Sequence, residues 1–134
     1  MREKDMSVIW GKYVKSHPPK RLETYELKMT KKKSVRYDAV AEHQIRFLQQ
    51  SNFGLYYKIT DTASADGFSA KKPFDCLYMI DAHPYVVVWF YKPRQAKVFH
   101  KIDLITYCEM MKCAKRKSFR EEDLIGKSEQ ILVT

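Results

Sequence analysis

The chain has 134 residues, of which 45% are hydrophobic, with only four glycines and five prolines. This length and composition predict one folded domain, residues 1–134, and exclude a disordered chain. The formal net charge of +9 favours a polyanionic partner, most commonly nucleic acid, over a solvated basic face. Three cysteines without zinc-site spacing indicate reduced thiols, and we expect no secretory signal or membrane helix, so the prediction is a cytoplasmic protein.

Hydrophobic periodicity and turn residues predict helices that alternate with strands. The predicted helices run from Asp5 or Ser7 to His17, from Ser34 or Asp38 to about Gln50, and from Leu104 to Lys115. The predicted strands are residues 22–30, 55–59, 74–80, 85–91 and 97–104, with a hairpin turn at 81–84 and an edge strand at 130–133. This order predicts an α/β (α+β) fold with a central mixed β-sheet flanked by helices.

Glu26 and Lys28 form the only Asp/Glu-x-Lys triplet of the chain, inside the strand predicted at residues 22–30. Side chains two residues apart on a strand point to the same face, and we expect that face to be the wetter one because the intervening residues are largely apolar. A carboxylate that holds Mg²⁺ or Mn²⁺, with an ammonium beside it, suits the hydrolysis of a phosphodiester. Glu26 is therefore a candidate metal ligand, and Lys28 a candidate catalytic group.

A second carboxylate is needed, and Asp75, at the start of a predicted hairpin strand, is the preferred candidate metal ligand. Its other interpretation is a strand-start acid that accepts a hydrogen bond from a neighbouring backbone amide. The less well placed alternatives are Asp61, Glu42, Glu3 and Asp5.

The segment 25–30 and, after a basic linker, the segment 41–48 resemble the Glu-x-Lys strand and the following His-Gln helix of PD-(D/E)XK nucleases. The likeness is greatest to the Holliday-junction-resolvase-like branch, which includes the bacterial RecU-type resolvases and small phage relatives, and it covers about residues 22–59. The resemblance implies a restriction-endonuclease-like core, Mg²⁺- or Mn²⁺-dependent cleavage of DNA, a branched or junction substrate, and a homodimer. It also implies a bacterial or phage-infected cell as the source.

By position, the resemblance makes Glu26 a metal ligand, Lys28 the catalytic lysine, and Gln44 the helix residue that reaches back to the site, with His43 as its catalytic neighbour. One departure concerns the family's metal-binding Asp, which normally lies on the strand just before Glu-x-Lys. Residues 18–23 contain no Asp, and Asp75 follows the motif. Either the ligand has moved to another strand, or the protein binds DNA without cutting it.

Basic residues fall in two groups, one around the Glu-x-Lys strand and one after the third predicted helix. If both lie on one side, they form a surface for the phosphate backbone that recognises shape more than sequence. The candidate nucleic-acid-binding residues are Lys20, Arg21, Lys31, Lys32, Lys33 and Arg36, and Lys115, Arg116 and Lys117. The rivals to a nuclease are a catalytically inactive DNA-binding or accessory protein on the same fold, and a regulatory protein whose positive face meets an acidic partner.

Overall fold

A mixed four-stranded sheet with helices on both faces organises the chain. The computed structural model describes residues 2–53, 55–59, 75–79 and 82–133, and the side chains of residues 2–50 and 82–133. The helices are α1 (Glu3–Ser16), α2 (Glu42–Phe53) and α3 (Leu104–Cys113). The strands are β1 (Glu23–Thr30), β2 (Ser34–Arg36), β3 (Leu55–Ile59), β4 (Asp75–Met79), β5 (His83–Phe90), β6 (Lys97–Asp103), β7 (Ser118–Arg120) and β8 (Glu129–Val133). The α+β fold with a central mixed sheet is thus confirmed.

The strand order in the main sheet is β1-β5-β6-β8. β1 runs parallel to β5, with Glu26 opposite Val86 and Lys28 opposite Val88, whereas β6 is antiparallel to both of its neighbours. A parallel pair needs a long crossover connection, and this one contains α2. β5 is buried on both faces from Val86 to Phe90, which explains why its sequence is a continuous apolar run and not an alternating one.

The two faces of the sheet have separate hydrophobic cores, because successive side chains of β5 point to opposite sides. Val86, Val88 and Phe90 pack with residues of α2 and α3, including Leu48 and Tyr107. On the other face, Val87 and Trp89 pack with Met6 and Trp10 of α1. No helix in the described part of the chain is long and apolar enough to cross a lipid bilayer.

Two short ribbons accompany the main sheet. β2 pairs antiparallel with β7, and their central residues, Val35 and Phe119, are both buried in the core beneath α2 and α3. β3 pairs antiparallel with β4 along the backbone, with Ile59 opposite Asp75. The edge strand predicted at the end of the chain is confirmed as β8, an outer strand of the main sheet.

The predicted start of the second helix is wrong. Ser34–Arg36 form β2, Tyr37–Ala39 form a 3₁₀ turn, and α2 begins only at Glu42. The cause is tertiary, since Val35 pairs with Phe119 far along the chain and Tyr37 donates its backbone N–H to Lys117 O. Neither Ser34 nor Asp38 caps the helix.

Two further expectations are also wrong. Residues 83 and 84 do not belong to a hairpin turn, because β5 begins at His83 and takes β1 as its parallel partner. The face of β1 that bears Glu26 and Lys28 is not the wetter one, because α2 covers it and the side chains on both faces are half-buried.

Candidate functional site

Glu26 and Lys28 lie side by side on β1, beneath α2. Lys28 Nζ lies 3.5 Å from Glu26 Oε1, and the two side chains are 16% and 24% exposed, respectively. Water screens this pair less than a surface pair, so the attraction between the carboxylate and the ammonium is stronger than it would be on the surface. The arrangement follows from the period of the strand, which the sequence already predicted.

Gln44 connects the first turn of α2 to Glu26. Its Oε1 accepts a hydrogen bond from the backbone N–H of Ala41 at 2.8 Å, which caps the helix, and its Nε2 donates to Glu26 Oε1 at 2.9 Å. Because the carbonyl is committed to the helix end, only the amino group of the amide is available to the carboxylate. The same amide orientation therefore satisfies both the helix end and the carboxylate of Glu26.

Both contacts to the Glu26 carboxylate go to the same oxygen. The shortest Lys28–Glu26 distance and the hydrogen bond from Gln44 both involve Oε1, and the described residues donate no hydrogen bond to Oε2. A Mg²⁺ ion is commonly held by one or two carboxylates together with water and substrate phosphates. Glu26 Oε2 has the chemistry of one such carboxylate ligand.

The candidate ligands whose side chains are described do not gather around Glu26. Asp75 begins β4, but its side chain, like the whole of Asp61, lies outside the described residues. Glu42 is exposed and forms an ion pair with Arg46 at 2.7 Å. Glu3 and Asp5 belong to α1, on the opposite face of the sheet. Within the described ranges, no group of three or more His, Cys, Asp and Glu side chains could hold a metal ion.

His43 is exposed on α2, next to Gln44. The side chains described around it make no hydrogen bond or ion pair with its ring. Its predicted catalytic role therefore gains no geometric support.

The β2–β7 ribbon joins the two basic groups that the sequence placed apart. Arg36 lies opposite Ser118, and the backbone N–H of Tyr37 donates to Lys117 O at 3.0 Å. The exposed lysines 31–33 precede β2, and the exposed residues 115–117 precede β7. Part of this charge is compensated, because Arg36 forms an ion pair with Asp38 at 2.9 Å, and this pairing lowers the pKa of Asp38.

A cavity of about 630 Å³ opens beside this basic surface, next to the end of α3. Tyr37, Met110, Arg116, Ser118 and Lys127 are among its lining residues. Glu109 and Asp123 also line it, so the cavity has mixed charge and does not by itself indicate a phosphate site.

Lys20 and Arg21 do not join this surface. They precede β1, at the end of the strand opposite to lysines 31–33, and Arg21 Nη1 lies 3.0 Å from His83 Nε2. A strand of eight residues separates the two ends by roughly 26 Å at 3.3 Å per residue.

Sequence reasoning missed the residues that the parallel pairing brings to the carboxyl end of β1. Phe90 lies opposite Thr30, so the turn after β5, with Lys92 and Arg94, emerges beside lysines 31–33. Only the register of β1 with β5 reveals this, and no local pattern in the sequence encodes that register.

A buried histidine below this turn was also missed. His100 is 1% exposed, and its Nε2 lies 2.9 Å from Glu121 Oε2, while Lys92 Nζ lies 3.1 Å from Glu121 Oε1. Burial opposes ionisation of Glu121, but the hydrogen bonds from His100 and Lys92 outweigh it and lower the pKa of this carboxyl.

Comparison of the chain with protein-family models, with curated proteins and with solved structures gives no match.

Proposed function

We propose that the protein is a metal-dependent endodeoxyribonuclease of the PD-(D/E)XK type, whose site is built on Glu26, Lys28 and Gln44. The observation that carries this proposal is the Glu26 carboxylate, whose Oε1 accepts a hydrogen bond from Gln44 beside Lys28, while its Oε2 accepts no hydrogen bond from the described residues. The Glu26 side chain is 24% exposed, so a metal ion can reach this carboxylate and take the place of water.

Each residue of the site has a distinct part in phosphodiester hydrolysis. Glu26 Oε2 would hold Mg²⁺ or Mn²⁺, and Asp75 remains the candidate for a second ligand. When bound, the ion supplies polarisation of the scissile phosphate and lowers the pKa of the attacking water. Lys28 stabilises the negative charge that develops on the phosphate oxygens. Gln44 holds the carboxylate in one orientation, which preserves the geometry of the ligand.

The basic surface supports DNA as the substrate. The lysines at 31–33 and the group at 115–117 are joined by the β2–β7 ribbon, at the end of β1 beyond Lys28. Backbone contacts through lysine and arginine carry no base information, so recognition should depend on shape more than on sequence. The family resemblance implies that this shape is branched or Holliday-junction DNA. A homodimer, as the family resemblance implies, would present two Glu26 sites to two strands of one junction.

A second candidate is a DNA-binding or accessory protein with the same fold and no cleavage activity. It is favoured by the Glu26 environment, in which the described side chains offer no cluster of metal ligands. This candidate shares the basic surface with the first, so DNA binding alone does not separate the two.

The test uses labelled linear, flap and four-way-junction DNA with Mg²⁺, with Mn²⁺ or with chelator. We expect cleavage that needs the metal and that falls at least 100-fold in Lys28→Met, which keeps the apolar stem of the side chain but removes the charge. Lys4→Met, an exposed change on α1, is the matched control and should cut at the wild-type rate.

Three outcomes separate the candidates. Cleavage that requires metal and Lys28 supports the nuclease. Salt-sensitive binding to DNA without cleavage in either metal refutes it and supports the binding protein. Absence of DNA binding refutes both the nuclease and the DNA-binding protein. The remaining candidate is then a regulatory protein whose basic surface binds an acidic protein.

A further inference from the structure

Two basic segments leave the main sheet side by side at the carboxyl end of its parallel strands. Thr30 lies opposite Phe90, and the backbone N–H of Tyr91 donates to Thr30 O at 2.8 Å. Beyond this hydrogen bond, β1 continues into Lys31–Lys33 and β5 continues into the turn Lys92–Gln95. All of these residues are exposed. The two segments therefore place their exposed cations next to each other at one end of the sheet.

The turn between β5 and β6 has an arginine at a position where glycine would have less backbone strain. The backbone N–H of Gln95 donates to Lys92 O at 3.4 Å, Pro93 takes the second position, and Arg94 takes the third with φ of 60°. Proline at the second position with a positive φ at the third is typical of a type II turn, which favours glycine or asparagine at that third position. Among the described non-glycine residues, Arg94 is the only one with a positive φ.

The charge of Arg94 is unpaired among the described residues, whereas the charge of Lys92 is paired. Lys92 Nζ is paired with Glu121 Oε1 at 3.1 Å, and Glu121 also contacts the buried His100, so the base of the turn is anchored to the core. The residues described around Arg94 give its guanidinium no hydrogen bond or ion pair. A long cation is therefore held at the tip of an anchored turn, in a backbone conformation that costs stability. Strain of this kind is typical of functional positions.

We propose that the Lys92–Gln95 turn is a contact for the DNA phosphate backbone and that Arg94 makes the contact. This inference rests on the proposed function only in taking DNA as the partner. Lys28 lies two residues before the end of β1, so the turn emerges about 7 Å further along the strand direction. Arg94 would hold a phosphate that flanks the one at Glu26 and Lys28, and a guanidinium suits this contact because it bonds two phosphate oxygens at once.

The decisive variant is Arg94→Gly, because glycine relieves the backbone strain and removes the charge in one change. The full chain is titrated in chelator against a fluorescent synthetic four-way junction at several salt concentrations, and the unfolding temperature is measured in parallel. We expect binding to weaken about tenfold, the loss typical of one charge-assisted hydrogen bond, with a salt slope smaller by about one. The unfolding temperature should stay level or rise.

Two further variants complete the test. Arg94→Lys keeps the charge but loses the two-point contact, so it should retain the salt slope and have an affinity between those of the wild type and Arg94→Gly. Lys4→Ala removes one exposed charge from α1, on the other face of the sheet, and should leave both unchanged. Wild-type affinity in Arg94→Gly, or an equal loss in Lys4→Ala, overturns the inference. Wild-type protein that does not bind DNA overturns both the inference and the proposed function, whereas the binding result in chelator stands whether or not the protein cuts.

Discussion

The hydrogen bond between Gln44 and Glu26 provides a quantitative test of how the site is built. A double-mutant cycle with Gln44→Ala, Glu26→Ala and the double variant isolates the coupling between the two side chains. A hydrogen bond to a charged group contributes about 1.5–3 kcal/mol when buried. Because the Glu26 side chain is 24% exposed and the bond is 2.9 Å long, we expect a coupling free energy near the lower end, about 1.5 kcal/mol.

Gln44→Ala should cost more than this coupling alone, because the variant also loses the cap on the Ala41 N–H. A side-chain cap contributes about 1 kcal/mol, so we expect a total loss of about 2.5 kcal/mol in the free energy of unfolding. Gln49→Ala is the matched control, since Gln49 is exposed on the same helix and its replacement should change the stability by less than about 0.5 kcal/mol.

The assay is urea unfolding at pH 7, followed by the fluorescence of the buried Trp10 and Trp89. A coupling free energy below about 0.5 kcal/mol would refute the reasoning, because Gln44 would then not orient the Glu26 carboxylate. So would a Gln44→Ala variant that is as stable as Gln49→Ala.

Two further predictions concern buried charge. Lys101 Nζ lies 2.7 Å from Glu23 Oε1, with the two side chains 13% and 11% exposed. Lys101→Met should lose about 3 kcal/mol in thermal unfolding, because it leaves the buried Glu23 carboxylate without a counter-ion and with only the Tyr25 hydroxyl still donating to it. A loss no larger than that of an exposed α1 lysine would contradict this. The pKa of Glu121 is lowered in the folded state because His100 and Lys92 bind its ionised form. The ionised carboxylate therefore stabilises the fold at pH values above 4.5, the ordinary pKa of this group. This stability is lost as the pH falls through the pKa of the folded state. Thermal unfolding between pH 3 and 6 should therefore show a steeper acid loss in the wild type than in Glu121→Gln, and equal slopes would show that the carboxyl is not linked to folding.

Local sequence patterns were enough to predict much of the fold. The period of β1 placed Glu26 and Lys28 on one face, and the apolar run 86–90 predicted a strand, because both properties depend only on neighbouring residues. The contact of Gln44 with Glu26 agrees with the geometry that the family resemblance implied, although its role in chemistry stays a prediction.

Features that depend on pairing across the chain were not accessible from the sequence. The local sequence around Val35 predicts a helix, and only the pairing with Phe119 shows that it is a strand. Because of that pairing, α2 begins only at Glu42. The position of Arg94 beside lysines 31–33 depends in the same way on the register between β1 and β5. Tertiary pairing overrides local preference at such places.

The central claim is that Glu26 is the metal-binding carboxylate of a nuclease site. Glu26→Gln tests it most directly, because a glutamine oxygen can still accept the hydrogen bond from Gln44 while the charge that would hold the ion is lost. The measurement is the single-turnover rate of four-way-junction cleavage in Mg²⁺ at saturating protein, with binding measured in the same samples. The account predicts metal-dependent cutting by the wild type and a loss of at least about 100-fold in Glu26→Gln, with unchanged affinity for the junction. Equal cutting by the two proteins would contradict it, and so would tight binding by the wild type without cleavage.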